Sequence, residues 1–389
     1  MLFEKERVSQ DELSDAVARE RKNASVRSLD LSLNELADMY CTGELRITPE
    51  YQRSFRWTEV KQSQFIESII LEMPLPPIFV VEVGEAKWEL IDGLQRLSTY
   101  LHFRGQLELS SPSTTIRRGQ FLKLCGCDIL QELNGYTFED LTTTLQHRVR
   151  RATFRVEIVR RESNPRFAYY MFKRLNSGGE PLSEQEARNC SIRLMDPRFS
   201  DFTIGLSEDA NFKACTEDLT EETRARMIEP ELVLRFFAFK NNLDEYVHDI
   251  EPFLTSYMER VSDERLKDRL PFDYEKEEAV FRKVFDILAK TLGPAASRRW
   301  VEAKNSFGGG FSIGHYEAFS VGVARHISRI PDNPSPELLK SIEEQLKSAK
   351  KEPELRNVIT GGGKNFRRLY DRKFAIVASH LEAALSDDK

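Results

Sequence analysis

The run Ile91-Asp92-Gly93-Leu94-Gln95-Arg96 gathers a carboxylate, an amide and a guanidinium around one Asp-Gly turn. Trp88, Leu90 and Ile91 read as the end of a buried strand. Leu94, Leu97, Tyr100 and Leu101 then recur at helical spacing until Gly105. A helix that starts after a glycine turn offers free backbone N–H groups to an anion. The chemistry this suits is binding of a polyphosphate or a nucleic-acid phosphate. Asp-Gly turns are common, so the run needs support from elsewhere. Two further clusters supply it. Pro49 to Trp57 holds Tyr51, Gln52, Arg53, Phe55, Arg56 and Trp57, two arginines and three aromatics within nine residues. Farther on, Phe172-Lys173-Arg174-Leu175 leads into Asn176-Ser177-Gly178-Gly179, followed by Pro181-Leu182-Ser183.

Arg53, Arg56 and Arg96 carry planar forks that match phosphate oxygens bidentately. Gln52, Gln95 and Asn176 can read polar edges of a base or ribose. Asp92 can hold Mg²⁺ through oxygen, as hard-cation phosphate sites require. Tyr51 and Trp57 can stack on a base, or else belong to the core or pack against an arginine. Ser177, Gly178 and Gly179 either let the backbone approach a ligand or cap a helix and turn the chain. All three clusters sit on expected turns or helix ends, so Tyr51–Arg56, Asp92–Arg96 and Asn176–Gly179 are expected to converge on one pocket. An arginine in the first turn of a helix at a pocket is expected to be dispensable for the fold, so Arg96→Ala should weaken ligand binding only.

These blocks also carry a resemblance. Residues from about Leu33 to Arg193 resemble the N-terminal domain of GmrSD-type restriction endonucleases. That family's marks are a P-x-Y-Q-R-x-x-x-W segment, a P-I-P-P-I segment, a D-G-Q-Q-R motif and an N-x-G-G-x-x-L-S segment. The chain has Tyr51-Gln52-Arg53 with Trp57, Pro74-Leu75-Pro76-Pro77-Ile78, and Asn176-Ser177-Gly178-Gly179 with Leu182-Ser183, in the family's order. Leu94 departs from the pattern, standing where the D-G-Q-Q-R motif has its first glutamine. The resemblance implies a ParB/sulfiredoxin-like fold. It implies a nucleoside triphosphate with Mg²⁺ as ligand, and Asp92, Gln95 and Arg96 as catalytic candidates, with Asp92 on the metal. It also makes Tyr51, Gln52, Arg53, Arg56, Trp57, Gly93 and Asn176–Gly179 the nucleotide-binding set. A leucine at 94 bears on hydrolysis more than on binding, because its neighbours keep their polar groups. The implied function is a nucleotide-binding, NTP-hydrolysing component of DNA restriction or anti-phage defence. The competing one is a non-catalytic DNA-binding or adaptor module whose nuclease sits in another chain.

Relatives of this type carry a separate His-based metal nuclease module. His315-Tyr316-Glu317 follows a glycine-rich loop here but has no second ligand pattern nearby, so an intrinsic nuclease is not expected. Five cysteines form a sparse, odd set, and Cys125-Gly126-Cys127 is too tight for a metal knuckle. Reduced thiols in a cytoplasmic protein are the simpler reading. There is no run of 18 or more apolar residues and no apolar signal core after Met1, so no membrane association is expected. The net charge is −6, but it is segregated. Gln146 to Arg174 has nine Lys/Arg against two acids, and Glu208 to Glu231 has eight acids against three bases. Arg148, Arg150 and Arg151 are therefore candidates for nucleic-acid backbone. The alternative is a solvated face paired with the acidic segment.

The elements that must position these groups follow from periodicity. Residues 1–29 are charged and weakly patterned and read as a loose helix or tail. Residues 30–196 mix both periods. Leu31 to Tyr40 and Phe65 to Met73 have helical spacing, while Ile78 to Val83 and Phe154 to Ile158 read as strands, with a helix opening at Phe138. Asn164-Pro165 starts another helix, and Ser183 with Glu186 has capping-box spacing. Residues 197–389 read as all-helical, with a boundary near 196–228 and loops at Gly308–Gly310 and Gly361–Gly363. The expected fold is α+β: a mixed α/β N-terminal domain followed by an all-α C-terminal domain. The helical part suits either a nuclease partner chain or a homodimer.

Overall fold

The computed structural model of the chain describes residues 9–22, 26–47, 55, 57–110, 115–160, 184–185, 188, 196–224, 226–264, 266–359 and 366–386. Two compact units share the chain: Met1–Leu182 with Asn189–Leu194, and Ser183–Arg188 with Met195–Lys389. The fold is α+β. Among the described residues no helix is long and apolar enough to cross a membrane.

In chain order the first unit contains α1 (Gln10–Lys22), β1 (Val26–Ser32), α2 (Leu33–Thr42), β2 (Leu45–Arg46), α3 (Glu59–Ile70), β3 (Ile78–Gly84) and β4 (Lys87–Asp92). Then follow α4 (Leu94–Phe103), β5 (Leu109–Ser110), β6 (Thr115–Ile116), α5 (Thr143–Arg151) and β7 (Thr153–Val159). Side chains two apart on a strand share a face, and that rule sorts the sheet. Ile78 and Val80 of β3, Leu90 of β4, and Phe154, Val156 and Ile158 of β7 enter the main core with α2, α3 and α4. Their neighbours Phe79, Val81, Ile91 and Val159 form a small cluster on the other face. The strand order is β1-β7-β3-β4-β2, a mixed sheet. β1 runs antiparallel to β7 and β3 antiparallel to β4, while β3–β7 and β2–β4 are parallel.

Three sequence expectations shift here. The stretch read as a loose helix or tail holds the helix α1 but also the first half of a strand, β1, which pairs with β7 from Val26↔Val159 to Ser32↔Thr153. β1 is an edge strand whose first three side chains are exposed, so backbone pairing holds it without any apolar pattern. The helix read from Leu31 starts at Leu33, capped by Ser32. Phe138–Leu141 forms a turn rather than a helix start. Asp140 Oδ2 accepts from the Thr137 amide and hydroxyl, and α5 begins beyond it at Thr143, capped by Thr142. The helix expected at Asn164-Pro165 lies outside the described residues.

The second unit contains α6 (Pro197–Ser207), α7 (Ala210–Cys215), α8 (Glu221–Arg224), α9 (Ile228–Asn242), α10 (Ile250–Ser262) and α11 (Tyr274–Thr291). After these come a hairpin of β8 (Arg299–Val301) and β9 (Ser306–Gly308), then α12 (Ile313–Ala324), α13 (Pro336–Lys351), α14 (Pro353–Ile359) and α15 (Arg367–Ser386). The unit is helical, but the hairpin corrects the all-α reading, and Gly308 ends its second strand. The stretch 196–228 holds three short helices. Phe199, Phe212, Phe236, Phe237, Phe281 and Phe285 are fully or almost fully buried in its core.

Charges are buried in this core too. Glu231 and Arg235 on α9 pair at 2.7 Å, and Arg235 also reaches Glu317 on α12 at 2.9 Å. The other Glu317 oxygen takes Lys373 of α15 at 2.6 Å. Arg188 adds contacts to Glu231, at 3.4 Å, and to Glu251, at 3.2 Å. His315 is buried beside Ser312. Burial, helped by Lys350, Lys373 and Arg299, pushes its pKa down to about 3. Among the described residues no three His, Cys, Asp or Glu side chains cluster as metal ligands. Cys41, Cys125, Cys127 and Cys215 are free thiols.

Candidate functional site

Why α4 starts where it does is decided at Gly93. Its φ of 104° is left-handed, and a Cβ there would lie 2.4 Å from Ile78 Cγ2. Ile78 is fully buried, so only glycine fits. Just before it, the β3–β4 register slips by one residue, from Phe79↔Asp92 to Val80↔Leu90. Such an irregularity re-aims the strand end that carries Asp92. Ser32, Thr58 and Thr142 cap α2, α3 and α5 with side-chain oxygens. At α4, by contrast, the cap residue is Gly93, which has no side chain to cap with, and no acid lies in the first turn. Helix geometry leaves the first-turn N–H groups without intrahelical acceptors, at the positive end of the helix dipole.

Arg96 sits one turn below Asp92. Its Nη2 donates to Asp92 Oδ2 at 2.9 Å, and its Nη1 donates to the carbonyls of Pro76 and Pro77 at 2.6 and 2.8 Å. The Arg96 side chain is 13% exposed and that of Asp92 37%. Burial lowers the Arg96 pKa from its ordinary value, and Asp92 opposes that shift. Arg96 is thus also a brace for the Pro76-Pro77 segment, which corrects the expectation that it is dispensable for the fold. Asp92 Oδ1 has no protein partner among the described residues.

Gln95 connects a third block. Its Oε1 accepts from the Trp57 amide at 3.1 Å. The Trp57 carbonyl accepts from Gln62 Nε2 at 2.8 Å, and Gln62 Oε1 meets His102 Nδ1 at 2.9 Å. Trp57 is half-buried, edge-on to Phe65 at 5.6 Å. Leu94, at the position where a glutamine was expected, is buried in the main core. Tyr51, Gln52, Arg53, Arg56, Asn176, Ser177, Gly178 and Gly179 lie outside the described residues, so of the expected convergence only the Trp57 and Asp92–Arg96 parts are seen together. Sequence reasoning missed Gln62 and His102. The one available signal was that His102 lies seven residues after Gln95, on the same helical face.

The basic strip divides. Arg148 and Arg151 of α5 line a groove of ≈780 Å³ with His147, Arg155 and two acids, Asp30 and Glu72. Arg148 pairs with Glu72 at 3.2 Å, and Arg155 with Glu157 and Asp30. Arg150 turns the other way and lies over the Phe138 ring at 5.4 Å, as Arg104 does at 4.6 Å. The acidic segment finds its bases within its own unit instead. Asp209 takes Arg282, Asp218 takes Arg298, and Glu229 takes Arg224.

Three sequence blocks therefore meet at the start of α4: one by a side chain, one by a tryptophan amide and one by two proline carbonyls. Residues 33–193 match the family described as GmrSD restriction endonuclease, N-terminal domain. No curated protein and no solved structure matches the chain. The GmrSD N-terminal match starts at α2, leaves the edge strand β1 outside, and stops short of α6. Within it, among the described residues, the D-G-L-Q-R turn touches Trp57 and the Pro76-Pro77 segment.

Proposed function

We propose that the sheet-bearing unit binds the phosphates of a nucleotide at the Asp92-Gly93 turn and the first turn of α4, as a component of a DNA restriction or anti-phage defence system. The observation that carries this reading is the start of α4 at a left-handed glycine, with the Asp92–Arg96 pair beside it, inside a segment that matches the GmrSD N-terminal domain family. The positive end of a helix and a nearby arginine together favour an anion. The donor set also fits Mg²⁺. Asp92 is half-exposed, and among the described residues one of its oxygens is free. Nucleotide-bound Mg²⁺ ordinarily takes one or two carboxylates, with phosphate oxygens supplying the rest. When bound, the ion would neutralise phosphate charge beside Arg96. Gln95 would be held by Trp57 to face the ligand, and Arg53, Arg56 and Asn176–Gly179 remain proposed contacts.

Leu94 in the core offers no polar group, so binding is better supported than hydrolysis. The test is calorimetric titration of each nucleoside triphosphate with and without Mg²⁺, followed by phosphate release with and without duplex DNA. Binding weakened roughly ten- to a hundredfold by Arg96→Ala in a folded variant supports the reading, and no binding by the wild type removes it. A second reading, a non-catalytic DNA-binding adaptor, draws on the groove where Arg148, Arg151 and Arg155 stand together. DNA binding at low salt without nucleotide turnover would favour it.

A further inference from the structure

Gln95 and His102 lie on one face of α4, seven residues and about 10.5 Å apart along its axis. The hydrogen-bond chain through Trp57 and Gln62 joins them and assigns every donor in it. Gln62 Nε2 donates to the Trp57 carbonyl, so Gln62 Oε1 is the acceptor facing His102. His102 Nδ1 must then carry the proton, which leaves Nε2 of the neutral ring as a bare acceptor. Burial lowers the His102 pKa, with Glu59 opposing, and so favours that neutral ring. His102 lines a cleft of ≈760 Å³ together with Phe55, Trp57, Glu59, Gln120 and Phe121. The Phe121 ring is held against Gly105, where a Cβ would come within 2.8 Å of it. A concave site with aromatic walls and one fixed acceptor suits a flat heteroaromatic ring bearing an N–H.

We propose that this cleft receives the base of the nucleotide, with His102 Nε2 accepting a base N–H and the rings of Trp57 and Phe121 contacting the base faces. The inference rests on the phosphate site proposed above, since the bound molecule would run along α4 from Asp92–Arg96 to His102. Trp57 then acts twice: its main chain positions Gln95 while its ring meets the base.

The experiment is calorimetry on the full chain with the four ribonucleoside triphosphates and, separately, inorganic tripolyphosphate, all with Mg²⁺. His102→Asn keeps a donor toward Gln62 and removes Nε2, and Phe121→Ala removes a wall. At least one nucleoside triphosphate is expected to bind wild type tenfold or more tighter than tripolyphosphate. Each variant should erase about fivefold to tenfold of that margin while leaving tripolyphosphate affinity unchanged. Tripolyphosphate binding with no margin for any nucleoside triphosphate overturns the base cleft and spares the phosphate site. Equal losses for both ligands in both variants overturn it as well. If neither ligand class binds wild type, the phosphate reading fails and this inference fails with it.

Discussion

Two regions of this chain use the same local device, a carboxylate four residues before an arginine, to opposite ends. Asp92–Arg96 stands at the mouth of α4, and Glu231–Arg235 lies inside α9. Arg235 is buried, yet two carboxylates, Glu317 and Glu231, outweigh its desolvation and raise its pKa. Arg96 has one half-exposed carboxylate and two proline carbonyls, and for it burial wins and the pKa is lowered. The α9 arginine meets two carboxylates, while the α4 arginine meets one, at a helix start whose cap residue is glycine. That difference separates a structural ion network from the place proposed above to take an anion.

The comparison breaks most visibly at Glu317. Glu317→Gln removes the shared partner of Arg235 and Lys373, and leaving buried charges uncompensated costs on the order of 3–5 kcal/mol. Urea unfolding should show that loss with nucleotide affinity unchanged. A loss below about 1 kcal/mol would mean that the network is not the internal brace described here.

Arg96→Ala should differ by changing both properties. Charge-assisted hydrogen bonds contribute roughly 1.5–3 kcal/mol, so stability should fall by about that much and nucleotide affinity by roughly ten- to a hundredfold. Urea unfolding beside titration calorimetry separates the two. Unchanged affinity in a folded Arg96→Ala protein would erase the contrast between the two arginines.

His315 sharpens the helical side through pH. Its pKa is pushed down to about 3 in the folded chain, against an ordinary 6.5. Below that ordinary value the unfolded chain takes up a proton that the folded chain refuses. The stability it contributes is therefore full above about pH 6.5 and is lost progressively toward pH 3, by about 2 kcal/mol between pH 7 and pH 5. His315→Gln should flatten that part of the pH profile of urea unfolding. A profile identical to wild type would place the proton uptake elsewhere.

The smallest effect is expected at the groove beside α5. Arg148→Ala breaks only an exposed pair with Glu72, so stability should move by less than about 1 kcal/mol. If the groove holds DNA backbone, Arg148→Ala with Arg151→Ala should weaken duplex binding and flatten its salt dependence, read by fluorescence anisotropy from low to moderate salt. Arg150→Ala should leave that binding unchanged, because its side chain packs on Phe138 on another face.

Much of the architecture was legible in the residues because each feature had a local cause. The strand through Ile91, the turn at Gly93 and the helix from Leu94 follow from apolar period and from a glycine that nothing else can replace. The family blocks were likewise readable as residue types in order. The β1 edge strand was not, because its register is set by β7 and its outward side chains carry no pattern. The division of the basic strip was also hidden. Three arginines within four residues look alike in one dimension, whereas a helix turns successive side chains 100° apart and sends Arg150 away from Arg148 and Arg151.

The sequence by itself determined which groups were available for an anion: Asp92, Gln95 and Arg96 around one glycine, with a tryptophan and two prolines in separate blocks. Only the tertiary structure decided what each one touches. It turned Arg96 partly toward the Pro76 and Pro77 carbonyls, tied Gln95 to the Trp57 amide, and brought Gln62 and His102 into the same chain of hydrogen bonds. Those partners lie 5 to 40 positions apart along the chain. The physical reason is that periodicity and turn chemistry act over a few residues, whereas hydrogen-bond partners across packed elements are chosen by the shape of the core between them.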